Sequence, residues 1–431
     1  MECCVRLWPT VCWGAEVRAI LAAALVGLAG VPTGWSASAA DRLHFVAVNG
    51  KGVLRSAKAD QPVNPASVVK VATTLWAVDQ LGTDHRWTTT VGVIGDWDRS
   101  TGVLKGDLVI GGGDDPDFQW ENAFMVAREL NLLGLNRVEG QIRIQGRFWL
   151  GWEHGVETRE TDPILLGERM GRRLISTFNP RKWTRSHINT WKALCARRGW
   201  DPSPRPKIEV TGGAQLDDSG NPTPVLAHRS NPLAVTMRRF NVYSNNDIVR
   251  VTDGIGTVGE LEIFINRRLG LDPGVVELET ASGERRNRMT VEQMAALLTE
   301  LEVEAAEHGL ELSRLLPVIG CDPGSTRRMF PGLAGAELAG SVTCKTGTLT
   351  HTDGGVAVLA GTFTSPVNGP VVFAIAVPRA GGSLQYWRRA QQRWVLDLMD
   401  EVGGAVASAC GPPMSFSDAM AEVEVVINAA E

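Results

Sequence analysis

The sequence has no block of consecutive basic residues that could follow a phosphate backbone. Its 43 Lys and Arg residues are interspersed with 48 Asp and Glu residues, for a formal net charge of −5. This balance speaks against nucleic acid as a partner. With 44% hydrophobic and 21% charged residues over 431 positions, the chain is long enough to form two or three domains with at least one large core.

The N-terminal apolar run is too short for a typical membrane-spanning helix. It covers residues 19–31, only 13 positions, whereas a spanning helix needs about 20. Arg6 and Arg18 precede it, and the small residues Ala37, Ser38 and Ala39 follow. This order is typical of a secretory signal peptide over residues 1–39, so we expect an exported, periplasmic protein. The alternatives are a retained anchor, or a wrongly assigned start codon followed by an ordinary buried helix.

Cysteine is scarce beyond residue 39. Four remain, at Cys195, Cys321, Cys344 and Cys410, too few for a fold that depends on disulfides, and at most two bridges are possible. No Cys or His spacing indicates a zinc site, and we expect neither a metal nor an organic cofactor. Cys344 either packs in the core or pairs with Cys321, and packing is the simpler interpretation.

Strand signals occur at both ends of the chain. Residues 44–48 and 52–54 flank Asn49-Gly50, as in a hairpin. Three further strand-like runs (341–350, 355–364 and 371–377) precede a helical pattern over 384–399. We therefore predict an α+β fold with one five-stranded antiparallel sheet flanked by helices.

The middle of the chain differs in composition. Turn-forming residues interrupt short alternating stretches between about 88 and 227, which indicates an inserted, β-containing domain. The predicted organisation is a signal peptide at 1–39, a discontinuous main domain at 40–88 and 228–405, an inserted domain at 89–227, and a C-terminal tail at 406–431.

The first candidate for chemistry is the pair Ser67 and Lys70. Asn64 can cap a helix and Pro65 suits its first position, so the sequence predicts Ser67 in the first helical turn. Residues three apart share a helix face, which would place the two side chains together. A lysine that loses hydration there can become a neutral amine and accept the serine proton. A Ser-x-x-Lys spacing alone also arises by chance.

Two later motifs could complete such a site. Ser244 and Asn246 follow a helical pattern, so a hydroxyl could relay a proton and an amide could hold both lysine and substrate. Lys345, Thr346, Gly347 and Thr348 lie in a predicted strand, where a cation and hydroxyls could bind a carboxylate and glycine permits close approach. Lys345 and Thr346 can both reach a substrate only from an edge strand. Each motif alone is also compatible with an ordinary loop or hairpin.

The order of the three motifs is that of penicillin-binding proteins and class A β-lactamases. Ser67 and Ser244 are 177 residues apart, and Ser244 and Lys345 are 101 apart. In this spacing the chain resembles the low-molecular-mass D-Ala-D-Ala carboxypeptidases and endopeptidases that have a large insertion between the first two motifs. The resemblance extends from residue 43 to about 400. One departure is Thr280-Ala281-Ser282-Gly283, where the family often has Asp-Gly-Ser-Gly, and the insertion is shorter than in the longest members.

The resemblance implies a penicillin-binding, β-lactamase-like transpeptidase fold and a function for each motif residue. It implies Ser67 as the acylated nucleophile, Lys70 as general base and Ser244 as proton relay. It implies Asn246 as a substrate ligand and Lys345, Thr346, Gly347 and Thr348 as the carboxylate clamp, with the backbone N–H groups of Ser67 and Thr348 as oxyanion hole.

The expected partners are peptidoglycan stem peptides, with β-lactams as inhibitors, and the oligomeric state stays open. The rival functions are a β-lactamase, which would turn penicillin over rapidly, and a catalytically silent cell-wall binding protein.

Overall fold

The computed structural model describes residues 41–153, 159–411 and 416–426, so the predicted signal peptide at 1–39 lies outside the described residues. The strands are β1 His44–Asn49, β2 Gly52–Ala57, β3 Thr88–Asp98, β4 Val103–Gly111, β5 Arg137–Val138, β6 Ile142–Gln145, β7 Glu209–Val210, β8 Ala214–Leu216, β9 Thr223–Arg229, β10 Glu277–Leu278, β11 Asn287–Arg288, β12 Thr343–Leu349, β13 Val356–Ser365, β14 Gly369–Pro378 and β15 Glu422–Val425. The α-helices are α1 Val69–Leu81, α2 Trp120–Leu132, α3 Pro163–Thr177, α4 Arg185–Arg198, α5 Leu233–Tyr243, α6 Val249–Ile255, α7 Val258–Leu269, α8 Val291–Glu307, α9 Ser325–Met329 and α10 Leu384–Glu401.

The chain divides into two compact units. The first comprises the described residues of Met1–Asp79, Asn241–Ser244 and Gly256–Pro413. The second comprises those of Gln80–Phe240, Asn245–Ile255 and Met414–Glu431. Each unit therefore draws on separated stretches of sequence.

The first unit contains the predicted five-stranded antiparallel sheet, in the order β12-β13-β14-β1-β2. The central strands β14 and β1 are buried and mostly apolar, as expected for strands covered on both faces. This confirms the prediction that both ends of the chain build one sheet. It also places β12, which contains Lys345, at the edge.

Helix α10 packs on this sheet through large aromatic side chains. The Trp394 ring lies 5.3 Å from that of Phe45 in β1 and 6.0 Å from that of Phe373 in β14. Tilted ring pairs at these distances add to the area that each ring buries. Helix α8 contacts β1, β13 and β14, and its start is fixed by a capping box between Thr290 and Gln293.

A disulfide joins Cys321 to Cys410 in this unit, whereas Cys344 is a free, buried thiol. The interpretation of Cys344 as a packed core residue is confirmed, and the alternative pairing with Cys321 is wrong. Cys344 faces the core of the sheet, where it belongs to the apolar cluster that also includes Phe373.

The second unit is built on an eight-stranded sheet. The main order is β15-β9-β3-β4-β5-β7, and β6 pairs with β4 and β8. Side chains from α2 and α3, such as Leu130 and Leu174, belong to the same apolar cluster as Ile110 and Ile144 of the sheet. Strand β15, close to the C-terminus, pairs with β9. None of the helices within 41–153, 159–411 and 416–426 is both long and apolar enough to span a bilayer.

Candidate active site

Ser67 and Lys70 are in direct contact. Lys70 Nζ lies 2.9 Å from Ser67 Oγ, as their spacing predicts. Ser67 is half-buried, whereas Lys70 is fully buried near the start of α1. The serine hydroxyl can therefore meet a substrate while the amine is shielded from water.

The local backbone differs from the predicted capped helix. Asn64 Oδ1 accepts from the backbone N–H of Ala66 at 3.0 Å, but Ala66–Val68 forms a 3-10 turn and α1 begins only at Val69. Ala66 has φ +47°, a left-handed conformation that interrupts a regular helix. Ser67 therefore lies in a helical turn at the start of this segment, as predicted, but the turn is a 3-10 turn that precedes α1 rather than the first turn of a regular α-helix.

Two glycines allow neighbouring segments to lie close to the backbone of this turn. A Cβ on Gly283 would lie 1.9 Å from the carbonyl oxygen of Ala66, and one on Gly347 would lie 2.6 Å from that of Pro65. The Gly283 position also has φ +84°, which favours glycine. The edge strand β12 and the segment around Gly283 thus both contact the backbone at Ser67.

The environment of Lys70 favours its neutral form. Lys70 Nζ donates to the backbone carbonyl of Ser282 at 2.5 Å, and a carbonyl can only accept. Burial lowers the pKa of Lys70 well below its usual value of 10.5, and the positive charge of Lys345 lowers it further, while Glu284 raises it. A neutral amine that donates one N–H to Ser282 has a lone pair available for the Ser67 proton.

Ser244 and Lys345 form a second contact pair. Lys345 Nζ donates to Ser244 Oγ at 2.7 Å and to the carbonyl of Thr346 at 2.8 Å. Ser244 has φ +51° and directly follows α5. Burial lowers the pKa of Lys345 to about 7, Cys344 raises it and Arg388 lowers it. This cation is consequently sensitive to pH near neutrality.

Residues outside the three motifs support the edge strand, and sequence reasoning missed them. Arg388 in α10 donates to the Gly347 carbonyl at 2.6 Å, to that of Val358 at 2.9 Å, and to the Thr348 hydroxyl. The hydroxyls of Ser325 and Thr346 lie 3.2 Å apart. No local pattern distinguishes Arg388 from the other polar residues of α10.

The remaining motif residue, Asn246, belongs to the second unit. It is the first residue of the 3-10 helix Asn246–Ile248, which Asn245 caps by accepting from the Asp247 N–H at 2.7 Å. Asp247 also accepts from the Glu153 N–H at 2.6 Å. Within the described part of the chain, no group of three or more His, Cys, Asp or Glu residues could hold a metal.

Comparisons with known proteins agree with this fold. The chain is 27% identical to carboxypeptidase DacB of Mycolicibacterium smegmatis over 360 residues. This alignment covers 74% of this chain and 72% of that protein. A penicillin G-acylated predatory endopeptidase from Bdellovibrio bacteriovorus, solved with an immunity protein, superposes with a TM-score of 0.72 at 23% identity, covering 89% of this chain and 100% of that one.

Penicillin-binding protein 4 of Haemophilus influenzae has a TM-score of 0.56 at 16% identity, covering 84% of this chain and 97% of that one. These likenesses confirm the predicted penicillin-binding protein fold. The family model described as D-Ala-D-Ala carboxypeptidase 3 (S13) matches residues 44–161 and 207–393. The chain therefore belongs to the D-Ala-D-Ala carboxypeptidase 3 (S13) family.

Proposed function

We propose that this S13 enzyme removes the terminal D-alanine from peptidoglycan stem peptides through an acyl-enzyme on Ser67. The observation that carries the proposal is the 2.9 Å contact between Ser67 Oγ and the buried Lys70 Nζ. Burial lowers the pKa of Lys70, which favours the neutral amine that can act as a base.

Acylation begins when Lys70 takes the Ser67 proton and Oγ attacks the carbonyl carbon between the two D-alanines. The backbone N–H groups of Ser67 and Thr348 stabilise the resulting oxyanion. The C–N bond then breaks, and Ser244 relays a proton to the leaving amine, so that D-alanine departs. Water hydrolyses the ester and regenerates the Ser67 hydroxyl.

The edge strand explains how a terminal carboxylate is selected. Lys345, together with Thr346 and Thr348, supplies a cation and hydroxyls for the carboxylate of the terminal D-alanine. Gly347 lets the substrate backbone lie close to the strand, and Asn246 holds the substrate amide. Cleavage of a cross-linked peptide by the same serine would give an endopeptidase activity like that of the Bdellovibrio relative.

We further propose that β-lactams acylate Ser67, as penicillin G acylates the Bdellovibrio endopeptidase. A β-lactamase would hydrolyse this adduct rapidly, whereas a carboxypeptidase retains it. The periplasmic location, the cleaved signal peptide and the domain bounds, with an inserted domain at 89–227, stay predictions.

The test is labelling of the purified protein with a fluorescent penicillin, followed by mass spectrometry of the peptide that contains Ser67. We expect a lasting covalent adduct on wild type and none on Ser67→Ala. A matched control is Ser56→Ala, because Ser56 lies in β2 of the same unit. Folded wild-type protein that takes no label would contradict the proposal, as would an adduct that persists in Ser67→Ala.

A further inference from the structure

Positive charge is concentrated in one stretch of the second unit. Residues 180–207 contain eight Lys and Arg residues and a single acidic residue, Asp201. This stretch carries a net charge of +7, so the rest of the chain carries −12. The cations are spaced along the sequence rather than consecutive, which is why no basic block is evident there.

Four of these cations line one cavity of about 480 Å³. We call it the basic cavity. Its lining includes Arg181, Lys192, Arg205 and Lys207, together with Trp191 and Ser203. Among the described residues, no carboxylate lines it.

A rigid frame holds the basic cavity. Trp191 of α4 is buried and its indole N–H donates to the Pro202 carbonyl at 2.9 Å. The Asn131 side chain accepts from the Lys207 N–H at 2.8 Å and donates to its carbonyl at 2.9 Å. The backbone on both sides of the cavity is therefore fixed before any ligand arrives.

The cavity cations differ from other arginines of the same stretch. Arg197 and Arg198 are tied to the buried carboxylate of Asp418. The four cavity cations, in contrast, are exposed, and the carboxylate of Asp201 accepts from the backbone N–H of Ser203. Lys207 lies 4.0 Å from Glu209, with both side chains more than half exposed, a distance at which a surface ion pair contributes little.

We propose that the basic cavity is a second binding site for peptidoglycan, which holds the carboxylate groups of a stem peptide. The inference rests on the proposed function, because that function makes a carboxylate-bearing wall peptide the substrate. Two guanidinium groups and two ammonium groups suit such an anion, because no carboxylate is among the described residues that line the cavity. Anchoring the enzyme to its polymer raises the effective concentration of the next peptide at the catalytic serine.

The experiment measures co-sedimentation of the full chain with purified sacculi from which phosphate-containing polymers have been stripped. Ser67→Ala is present in every sample so that the polymer stays intact. The cavity variant combines Arg181→Glu, Lys192→Glu and Lys207→Glu. The matched control reverses three exposed cations elsewhere in the second unit, by Arg99→Glu, Lys105→Glu and Arg137→Glu.

We expect the cavity variant to bind sacculi about fivefold more weakly, since it loses several exposed charge contacts, and the control to bind like the parent. Raising salt from about 50 to about 500 mM should weaken binding by the parent. If charge reversal unfolds the second unit, judged by circular dichroism, the corresponding triple glutamine variant replaces it, with the same expectation.

Equal binding by the cavity variant and the parent would overturn the proposal, and so would an equal loss in the control. Binding of soluble polyphosphate by the parent without binding of stripped sacculi would also overturn it, in favour of a phosphate polymer. With Ser67 intact, the cavity variant should label with penicillin and release D-alanine from a small soluble peptide like wild type. Loss of wild-type labelling would instead count against the proposed catalytic function.

Discussion

Lys345 Nζ donates a hydrogen bond to Ser244 Oγ over 2.7 Å, which joins the second and third motifs across 101 residues of sequence. The proposed proton relay is therefore in contact with the proposed carboxylate clamp. Burial lowers the pKa of Lys345 to about 7. A change in pH near neutrality consequently affects both groups.

The pH dependence of substrate selection should reveal the charge of Lys345. Above pH 7 the free enzyme loses this proton, so the ratio of kcat/KM for a free-acid D-Ala-D-Ala peptide to that for its methyl ester should fall, approaching about tenfold per pH unit. The ratio cancels the opposite requirement that Lys70 be neutral. Lys345→Ala should abolish the pH dependence of this ratio, and the ratio itself should be lower than that of wild type at pH 6. A ratio that is constant from pH 6 to 9 in wild type would contradict the clamp.

Gly283 and Gly274 form a matched pair for testing close approach to Ser67. Both have positive φ, +84° and +82°, but a Cβ on Gly283 would lie 1.9 Å from the Ala66 carbonyl, whereas nothing lies within 4 Å of one on Gly274. Gly283→Ala should displace the turn and slow penicillin acylation by about tenfold or more, because small misplacements of reacting groups are costly. Gly274→Ala should cost about 1 kcal/mol of stability and leave acylation intact. Equal acylation rates would show that the turn tolerates the shift.

Asp115 should make stability depend on pH. Burial raises its pKa to about 7 from the ordinary 3.8, so between these values the folded state holds a proton that the unfolded state has lost. This contribution to stability is complete below about pH 4 and is lost as pH rises through 7. As pH rises across this window, the free energy of unfolding of Asp115→Asn should therefore increase relative to that of wild type by about 1.4 kcal/mol per pH unit, measured by urea unfolding. The control is Asp96→Asn, which removes a carboxylate from an exposed position of the same unit.

The neighbour of Asp115 makes this test specific. His228 Nδ1 lies 4.0 Å from an Asp115 carboxylate oxygen, but burial lowers the pKa of His228 to about 3. Near pH 5 both side chains are neutral, so the pair contributes no ion-pair attraction. If the stability of Asp115→Asn relative to wild type instead increased as pH fell, His228 would be charged and paired with an ionised Asp115.

Thiol counting tests the disulfide and the signal peptide together. When the protein is denatured without reductant, a chain cleaved after Ala39 should have two reactive thiols, those of Cys195 and Cys344. A chain that retains the signal peptide also has Cys3, Cys4 and Cys12 and should therefore have five. The Cys321–Cys410 bridge spans 89 residues, so Cys410→Ser should lower stability by about 4 kcal/mol. Wild-type protein in which the disulfide has been reduced should unfold at a urea concentration similar to that of Cys410→Ser. Four thiols in the cleaved chain would contradict the bridge.

Local sequence patterns predicted the parts of the site that depend on local geometry. The spacing of Ser67 and Lys70 was sufficient to place their side chains together, and turn signals were sufficient to predict the strand with Lys345. The left-handed Ala66 was not predictable, because its conformation accompanies the close approach of Gly283, more than 200 residues later. The role of Arg388 was not predictable for the same reason, since three of its acceptors lie in strands that are distant in the sequence.

The pairing of β1 with β14 sets the order of events during biosynthesis. His44 lies opposite Ala376, so a strand made at the start of translation has to wait for one made near its end. At 5–20 residues per second, this delay is roughly 15 to 65 s. During it β1 has β2 beside it but lacks β14 on its other edge, while most of the second unit's sequence has already emerged. Newly made chains should therefore expose an apolar strand and depend on chaperones until synthesis is almost complete.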